Sequence, residues 1–311
     1  MPENSDSRRR EWFELGVDAF TRARPGAPRL YCCPFCVRGF DAPAPEALSF
    51  EHVPPKNVGG KPLVLTCRKC NNTHGSDLDA HIKAGRDLGE ILEGKRPTWA
   101  RLRSGDGAMA VKATLGADAV SLVEVAGKSN PTARDAMAAH LEGLVGTDAT
   151  GSEFDLEFSI RHDEWRERIG WLRVAYLYLF ALFGYNFILR PELNPIREQF
   201  RNPAERIVPQ IIKHMTESAE ENHIVSIFSP RNLRGIGVQL GRWMLFFPGF
   251  LETDSFYDRL AELPERGHLS LSGKALPFPE GPAFLCDFHP EAIRYLVPPE
   301  SLDGGDELHD D

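Results

Sequence analysis

Hydrophobic and polar positions in the first part of the chain form short blocks that switch between helical and strand-like spacing. Residues 1–10 are polar and predict a disordered arm. Over residues 11–24 the apolar side chains recur at helical spacing, which predicts a short amphipathic helix. Residues 29–40 have the pattern of a β-hairpin, and apolar runs at residues 48–53 and 63–66 predict two short strands. One helix followed by a small β-rich module is therefore expected here.

Longer helical and strand patterns follow. A helical turn is predicted at Cys67, and a further helix is expected from a capping sequence at Ser76 to about residue 93. Later helices are predicted over residues 131–144, 164–189 and 204–222. Later strands are predicted over residues 108–113, 121–125, 154–160, 224–228 and 238–247. Together these patterns predict an α+β protein.

The pattern changes near residue 96, which predicts two lobes in this chain of 311 residues. Residues 1–30 are expected to form the helix and disordered arm, and residues 31–96 the cysteine-bearing module. Residues 97–300 predict a larger α+β lobe to which the sequence assigns no role. Residues 301–311 form an acidic tail that is expected to be solvated.

Composition adds the class of protein. The chain is 42% hydrophobic and 26% charged, which is typical of globular proteins. No apolar segment follows the arginines near residue 10, and the apolar stretch at residues 171–189 is interrupted by polar residues. The sequence therefore predicts no membrane partner and a cytoplasmic location. The excess of arginine over lysine favours a bacterial origin. In a reducing compartment, clustered cysteines bind metal more often than they form disulfides.

Net charge neither favours nor excludes a nucleic-acid partner. The formal charge is −9 overall. Residues 1–96 hold 15 Lys and Arg against 13 Asp and Glu, so the cysteine-bearing part carries +2 and the remainder −11. This is a weak electrostatic signal beside that of a typical DNA-binding domain.

Two CxxC pairs predict a structural zinc site. Thiolates three residues apart on a tight turn present two sulfurs at the angle that tetrahedral zinc needs. Two such pairs supply four ligands: Cys33, Cys36, Cys67 and Cys70. Cys32 lies beside the first pair, but its spacing to the next cysteine does not fit.

Glu51 and His52 stand between the two pairs. A histidine of near-neutral pKa is suited to deprotonating water, and a carboxylate beside it suits Mg²⁺ or Mn²⁺. Neighbouring side chains of a regular strand point to opposite faces, so the two can converge only where the chain is distorted. Taken alone, the pair also fits an exposed glutamate beside a half-buried histidine.

Asn71 directly follows the last cysteine, and His74 lies three residues further on. If a helix starts at the second cysteine pair, the zinc fixes both side chains over one helical turn. An asparagine at a helix start that bonds its own backbone, and a histidine exposed near a helix end, explain them equally well.

These motifs, in this order, resemble the zinc-stapled branch of the HNH (ββα-metal) endonucleases over about residues 31–80. The resemblance implies a ββα-metal module, close to a treble clef, in which the zinc is purely structural. It implies that His52 is the general base on water and that Glu51 and Asn71 hold a catalytic Mg²⁺ or Mn²⁺. His74 falls near the last metal-binding position of the motif.

The resemblance also implies phosphodiester hydrolysis, with DNA a more expected substrate than RNA. Arg68 and Lys69, between the last two cysteines, are placed to contact the nucleic-acid backbone, although a solvated helix start explains them as well. Many relatives have an asparagine shortly before the second cysteine pair, where this chain has residues 61–64, Lys-Pro-Leu-Val. The other reading is a non-catalytic zinc module that binds nucleic acid or protein. The oligomeric state stays open, a homodimer included, and a role in phage defence is an analogy.

Overall fold

The computed structural model describes residues 3–104, 107–116, 120–125, 155–214, 223–228, 235–250, 256–262, 273–276 and 278–284. The chain divides into two compact units. Unit 1 combines Met1–Ile82 with Glu164–Asp311, and unit 2 is Lys83–Asp163. The protein is α+β, as the sequence predicts.

Unit 1 begins with helix α1, Glu3–Ala23, which therefore includes most of the segment predicted to be disordered. Its apolar side chains Trp12, Phe13 and Val17 are buried. Strands β1, Tyr31–Cys32, and β2, Gly39–Phe40, form the short hairpin that carries the first cysteine pair. Gly16 allows α1 to lie close to this hairpin, because a Cβ there would come within 2.3 Å of the Tyr31 ring.

A second hairpin leads directly into a helix. Strand β3, Leu48–Val53, pairs antiparallel with β4, Lys61–Cys67, and helix α2, Arg68–His74, begins at the next residue. The sequence Gly75–Asp79 continues the helical path as a π-helical turn, and helix α3, Ala80–Leu92, follows without the new cap predicted at Ser76. The order β3, β4, α2 gives a ββα arrangement.

Helix α4, Glu164–Phe183, forms the centre of unit 1. From Ile169 onward all its residues are buried except Trp171, because apolar side chains occupy every face of the helix. The prediction of one helix over residues 164–189 is only partly correct. Gly184, at φ +63°, ends α4, and a short helix α5, Tyr185–Ile188, follows. Helix α6, Asn194–Arg201, comes next.

A five-stranded antiparallel sheet completes the described part of unit 1. Its strands are β9, Ile212–His214; β10, His223–Phe228; β11, Gly235–Leu240; β12, Trp243–Pro248; and β13, Gly273–Leu276. Their order in the sheet is β13-β10-β11-β12-β9. Helix α7 is Phe256–Glu262. The predicted strand over residues 238–247 is two strands of a hairpin, and the helix predicted over residues 204–222 is wrong in its described part, which ends in β9.

Unit 2 contains a four-stranded antiparallel sheet in the order β7-β6-β5-β8. The strands are β5, Thr98–Ser104; β6, Gly107–Leu115; β7, Val120–Val125; and β8, Asp155–Glu157. The sequence pattern predicts β6, β7 and β8 but misses β5. The core on one face of the sheet is small, with Ala100, Leu102, Met109, Val111 and Ala113 buried.

The unit boundaries differ from the boundary predicted near residue 96. Unit 1 gives way to unit 2 inside α3, and residues from Glu164 onward belong to unit 1 again. The predicted helix over residues 131–144 and the acidic tail at 301–311 lie outside the described residues. Among the helices that the structure describes, none is long and apolar enough to cross a membrane.

Candidate functional site

The four predicted zinc ligands come together in unit 1. Cys33 and Cys36 flank the turn of the first hairpin, Cys67 ends β4, and Cys70 lies in the first turn of α2. Their four Sγ atoms all lie within 4.8 Å of one another. The cluster could therefore hold a zinc ion, as predicted.

The geometry of the cluster fits zinc. With Zn–S bonds of about 2.3 Å, the sulfurs of a tetrahedral site lie about 3.8 Å apart. The Sγ atoms of Cys36 and Cys67 are 3.8 Å apart. The backbone N–H of Cys67 donates to Cys33 Sγ, and that of Cys70 to Cys67 Sγ, both at 3.4 Å. These amides favour negative charge on the sulfurs, which is the form that binds metal.

The thiols also influence one another. Burial raises the pKa of Cys33, whereas hydrogen bonding from Cys33 and the other two thiols lowers the pKa of Cys36. Four sulfurs at this distance cannot all carry charge without a cation between them. A bound dication would let all four ionise.

Cys32 lies outside the group of four cysteines that are placed to share a metal ion. Its backbone N–H donates to the hydroxyl oxygen of Tyr185 at 3.0 Å, and that hydroxyl donates to the Cys32 carbonyl oxygen at 2.7 Å. Burial raises the pKa of the Cys32 thiol to about 11. The spacing argument from the sequence therefore selects the correct cysteine of the two.

Glu51 is buried on β3, with 2% of its surface exposed. Its Oε1 accepts an ion-paired hydrogen bond from the guanidinium of Arg173 on α4, and its Oε2 accepts one from the Thr66 hydroxyl at 3.0 Å. Both carboxylate oxygens thus have partners within the protein. The sequence reasoning missed Arg173 and Thr66 as neighbours of Glu51.

Arg173 is completely buried and also pairs with Asp79 at the end of the π-helical turn. One guanidinium therefore serves two carboxylates. The pKa of Asp79 is raised to about 6. Burial is the main cause, the charge of Arg173 opposes it, and the charge of Glu51 adds to it. The sequence contains a signal for Arg173, since it is the lone cation in the apolar stretch 169–189 and a buried cation needs acidic partners.

His52 is half-buried, whereas Glu51 next to it is buried. The pairing register between β3 and β4 shifts between these two residues, which is the distortion that the sequence argument required. Burial lowers the pKa of His52, Glu51 raises it, and the positive charges of Lys56 and Arg8 lower it again. The imidazole is therefore neutral at pH 7 and able to accept a proton.

Asn71 connects α2 to the strand that carries Glu51 and His52. Its side-chain nitrogen donates to Ser49 Oγ at 2.9 Å and to the Phe50 carbonyl oxygen at 3.3 Å. These bonds fix β3 against the first turn of α2. Asn71 therefore braces the part of β3 that directly precedes Glu51 and His52.

His74 is buried against aromatic side chains. Its ring lies 4.5 Å from that of Phe35, in edge-to-face geometry, and 6.1 Å from that of Phe200. Burial and then the charge of Arg173 lower the pKa of His74 to about 3. Within the described part of the chain, its Nδ1 has no hydrogen-bond partner.

Arg68 and Lys69 are both exposed at the start of α2. The Arg68 Nε donates to the Pro45 carbonyl oxygen at 2.5 Å, which fixes the side chain against the preceding loop. Lys69 keeps an exposed side chain. The two therefore differ in their freedom to meet a ligand.

The residues expected to hold the catalytic ion do not form an open site in this arrangement. Glu51 uses both oxygens, the Asn71 nitrogen faces β3, and His74 is enclosed by aromatic rings. Among the described residues, the four cysteines form the only group of His, Cys, Asp and Glu side chains placed to share a metal ion. Zinc fits the protein at the cysteines, whereas Mg²⁺ or Mn²⁺ does not fit Glu51 as it is paired.

Comparison with protein-family models, with curated proteins and with solved structures found no match to the chain. The function of the chain is therefore inferred from its own residues and their geometry.

Proposed function

We propose that the protein is an HNH-like endonuclease that hydrolyses phosphodiester bonds of nucleic acid, with DNA the favoured substrate. The observation that carries the proposal is the ββα arrangement, in which Asn71 on α2 holds the strand that presents His52. A zinc-stapled turn, a histidine at a distorted strand position and an asparagine after the last cysteine are the elements on which the resemblance rests.

His52 would act as the general base in this reaction. A neutral imidazole accepts a proton from water, and the resulting hydroxide attacks the phosphorus in line with the leaving oxygen. Burial and nearby positive charge lower the pKa of His52, so the neutral form dominates at pH 7. The zinc cluster takes no part in the chemistry and fixes the frame around β3 and α2.

A divalent ion, when bound, would neutralise charge on the phosphate and the leaving group. The expected ligands are Glu51, Asn71 and His74. The Glu51 carboxylate is paired with Arg173 and Thr66, so it would bind such an ion only if that pairing were broken. Cleavage measured with and without added Mg²⁺ or Mn²⁺ shows whether the reaction depends on such an ion.

The test is a cleavage panel of supercoiled, linear, branched and single-stranded DNA, and of RNA, with and without added Mg²⁺ or Mn²⁺. We expect cleavage by the wild type and none by His52→Ala, because the variant lacks the proton acceptor. His81→Ala, which removes a partly buried histidine from α3, should cut like the wild type. Zinc content and melting temperature should be unchanged in both variants.

A second function is favoured by one specific observation. The buried pairing of Glu51 with Arg173 is what a non-catalytic zinc module would contain, since such a module needs no open carboxylate. The protein would then bind nucleic acid or another protein without cutting. Absence of cleavage of every substrate, or equal cleavage by His52→Ala, would favour this function over the nuclease.

The remaining expectations from the sequence stay predictions. They are a cytoplasmic bacterial setting, a part in phage defence, backbone contacts by Arg68 and Lys69, and the oligomeric state. Lys69 is the better candidate of the two for a backbone contact, because Arg68 is already bonded to the Pro45 carbonyl oxygen.

A further inference from the structure

An exposed arginine on α1 lies next to the strand that carries His52. The Arg8 guanidinium carbon lies 4.7 Å from the centroid of the Phe50 ring and 5.4 Å from that of Trp12. The two rings contact each other edge to face, with centroids 5.2 Å apart. Trp12 follows Arg8 by one helical turn, and Phe50 precedes His52 by two residues of β3. The aromatic pair therefore fixes the guanidinium against β3 at Phe50, two residues before His52.

Arg8 differs from the next arginine in its ionic contacts. Arg9 pairs with Asp6 at 2.7 Å, and only 12% of its side chain is exposed. Arg8 is exposed, and over the stretches that the structure describes no carboxylate lies within ion-pair distance of it. Among the side chains that the structure describes, its positive charge is held in place by aromatic contacts and has no acidic partner.

Lys56 supplies a second positive charge near the same histidine. It is exposed at the start of the 3-10 turn Lys56–Val58, directly after the two prolines that end β3. The charges of both Lys56 and Arg8 reach the imidazole, since each of them lowers the pKa of His52. Two separate elements therefore direct positive charge toward His52, against the negative charge of Glu51, whose effect on the His52 pKa is larger than that of either cation.

We propose that Arg8 and Lys56 bind phosphate groups of a nucleic-acid backbone beside His52, which makes helix α1 part of the nucleic-acid-binding surface. The inference rests on the proposed function for the identity of the ligand and adds residues that the motif does not contain. A guanidinium stacked on aromatic rings keeps its N–H edge open to phosphate oxygens, and it loses little further freedom on binding. Lys56 acts as a more mobile point charge.

The test measures binding separately from cleavage. A short fluorescein-labelled DNA duplex, its single strand and an RNA strand of the same sequence are titrated with the full chain carrying His52→Ala, and fluorescence anisotropy is recorded over a range of salt concentrations. Loss of one phosphate contact lowers the salt slope by about 0.9, which is about an eightfold loss of affinity at about 0.1 M salt. We expect this loss in Arg8→Ala and in Lys56→Ala, and a smaller one in Arg8→Lys.

Arg10→Ala is the matched control, because it removes the same charge from an exposed position on another face of α1. Its affinity should stay within about twofold of the parent. Equal losses in Arg8→Ala and Arg10→Ala, or no loss in Arg8→Ala, would overturn the inference while leaving the nuclease proposal standing. Binding that depends on Arg8 without any cleavage by the wild type would support the inference and overturn the nuclease. Absence of binding to DNA and RNA would overturn both.

Discussion

At the scale of single residues, Arg173 connects several elements in the interior of unit 1. It has no exposed surface and pairs with two carboxylates, Glu51 and Asp79, that come from different elements. Its guanidinium carbon also lies 5.7 Å from the centroid of the Phe35 ring, and Phe35 belongs to the turn of the first cysteine pair. One guanidinium thus connects α4, β3, the π-helical turn and the zinc-binding hairpin.

Arg173→Met should destabilise the protein by about 3–5 kcal/mol, because it leaves the buried Glu51 and the partly buried Asp79 without their cation. The free energy of unfolding, measured by chemical denaturation at pH 7, checks this. Adding Glu51→Gln and Asp79→Asn to the variant should recover part of the loss, since the unpaired charges are then removed.

Arg201→Met is the control for a surface pair. Arg201 bonds Glu198 at 2.8 Å, but its side chain is 53% exposed. Its loss should cost no more than about 1 kcal/mol. Similar values for the two variants would mean that the Arg173 cluster is not the buried network described here.

The cysteines and Arg173 show how far residue chemistry could be predicted. The zinc ligands form two local patterns, and local spacing is sufficient to select Cys33 over Cys32. The partner of Glu51 lies 122 positions away along the chain. A sequence pattern indicates that a buried arginine needs acidic partners, but it does not indicate which ones. The motif predicts His74 near a metal. Its aromatic neighbour Phe200 belongs to a helix far away along the chain, so local spacing does not reveal this contact.

At the scale of elements, the zinc cluster joins the β1–β2 hairpin to the junction of β4 with α2. The two cysteine pairs lie on separate elements. In the part of the chain that the structure describes, the β1–β2 hairpin forms no strand ladder with β4. A bound zinc ion would therefore contribute to the connection between them, together with the hydrogen bond that the buried Tyr31 hydroxyl donates to the Leu65 carbonyl oxygen at 2.5 Å.

Removal of one ligand should separate the effects of zinc from those of packing. Cys33→Ala should lower the zinc content below one per chain and lower the melting temperature, because metal binding contributes to folding. Cys32→Ala is the matched control, since Cys32 is its buried neighbour but lies outside the cluster. Metal analysis after gel filtration, with thermal unfolding of the same samples, measures both effects. Equal zinc content in the two variants would contradict the assignment of the four ligands.

Elements with a long apolar run could be predicted from the sequence, and those governed by tertiary contacts could not. Helix α4 is predicted because its apolar run is long, but its end depends on the positive φ of Gly184. Helical spacing over residues 204–222 predicts a helix, whereas the described part of that segment ends in strand β9 paired with β12. Pairing with a distant strand outweighs the local preference there.

At the scale of the whole molecule, the module predicted over residues 31–96 lacks the helix that completes it. Helix α4 reaches the first part of the chain through Arg173 and through two tyrosine hydroxyls. Tyr176 donates to the Pro34 carbonyl oxygen at 2.8 Å, and Tyr178 to that of Val53 at 3.3 Å. The sequence boundary near residue 96 followed a change of composition, whereas the boundaries of the units follow contacts between residues far apart in the chain.

This organisation predicts that unit 2 can be removed while unit 1 still folds. The chain leaves unit 1 after Ile82 and returns at Glu164. Gly170 lies against Ile82, since a Cβ at Gly170 would come within 2.8 Å of the Ile82 side chain. The six residue-to-residue steps from Glu164 to Gly170 span about 9 Å of helix. A flexible linker of about six Gly and Ser residues, with a root-mean-square length of about 13 Å, is therefore long enough to replace residues 84–162.

The variant without residues 84–162 should keep one zinc per chain and unfold in a single cooperative transition, because the described apolar core of unit 1 contains no residue of unit 2. A protein that ends at residue 96 should fail both measurements, since it lacks α4 and leaves Glu51 without Arg173. Metal analysis and denaturant unfolding of the two proteins decide between the partitions. If the protein that ends at residue 96 folds with zinc and the excised variant does not, the cysteine module is independent of α4 and the division into units described here is incorrect.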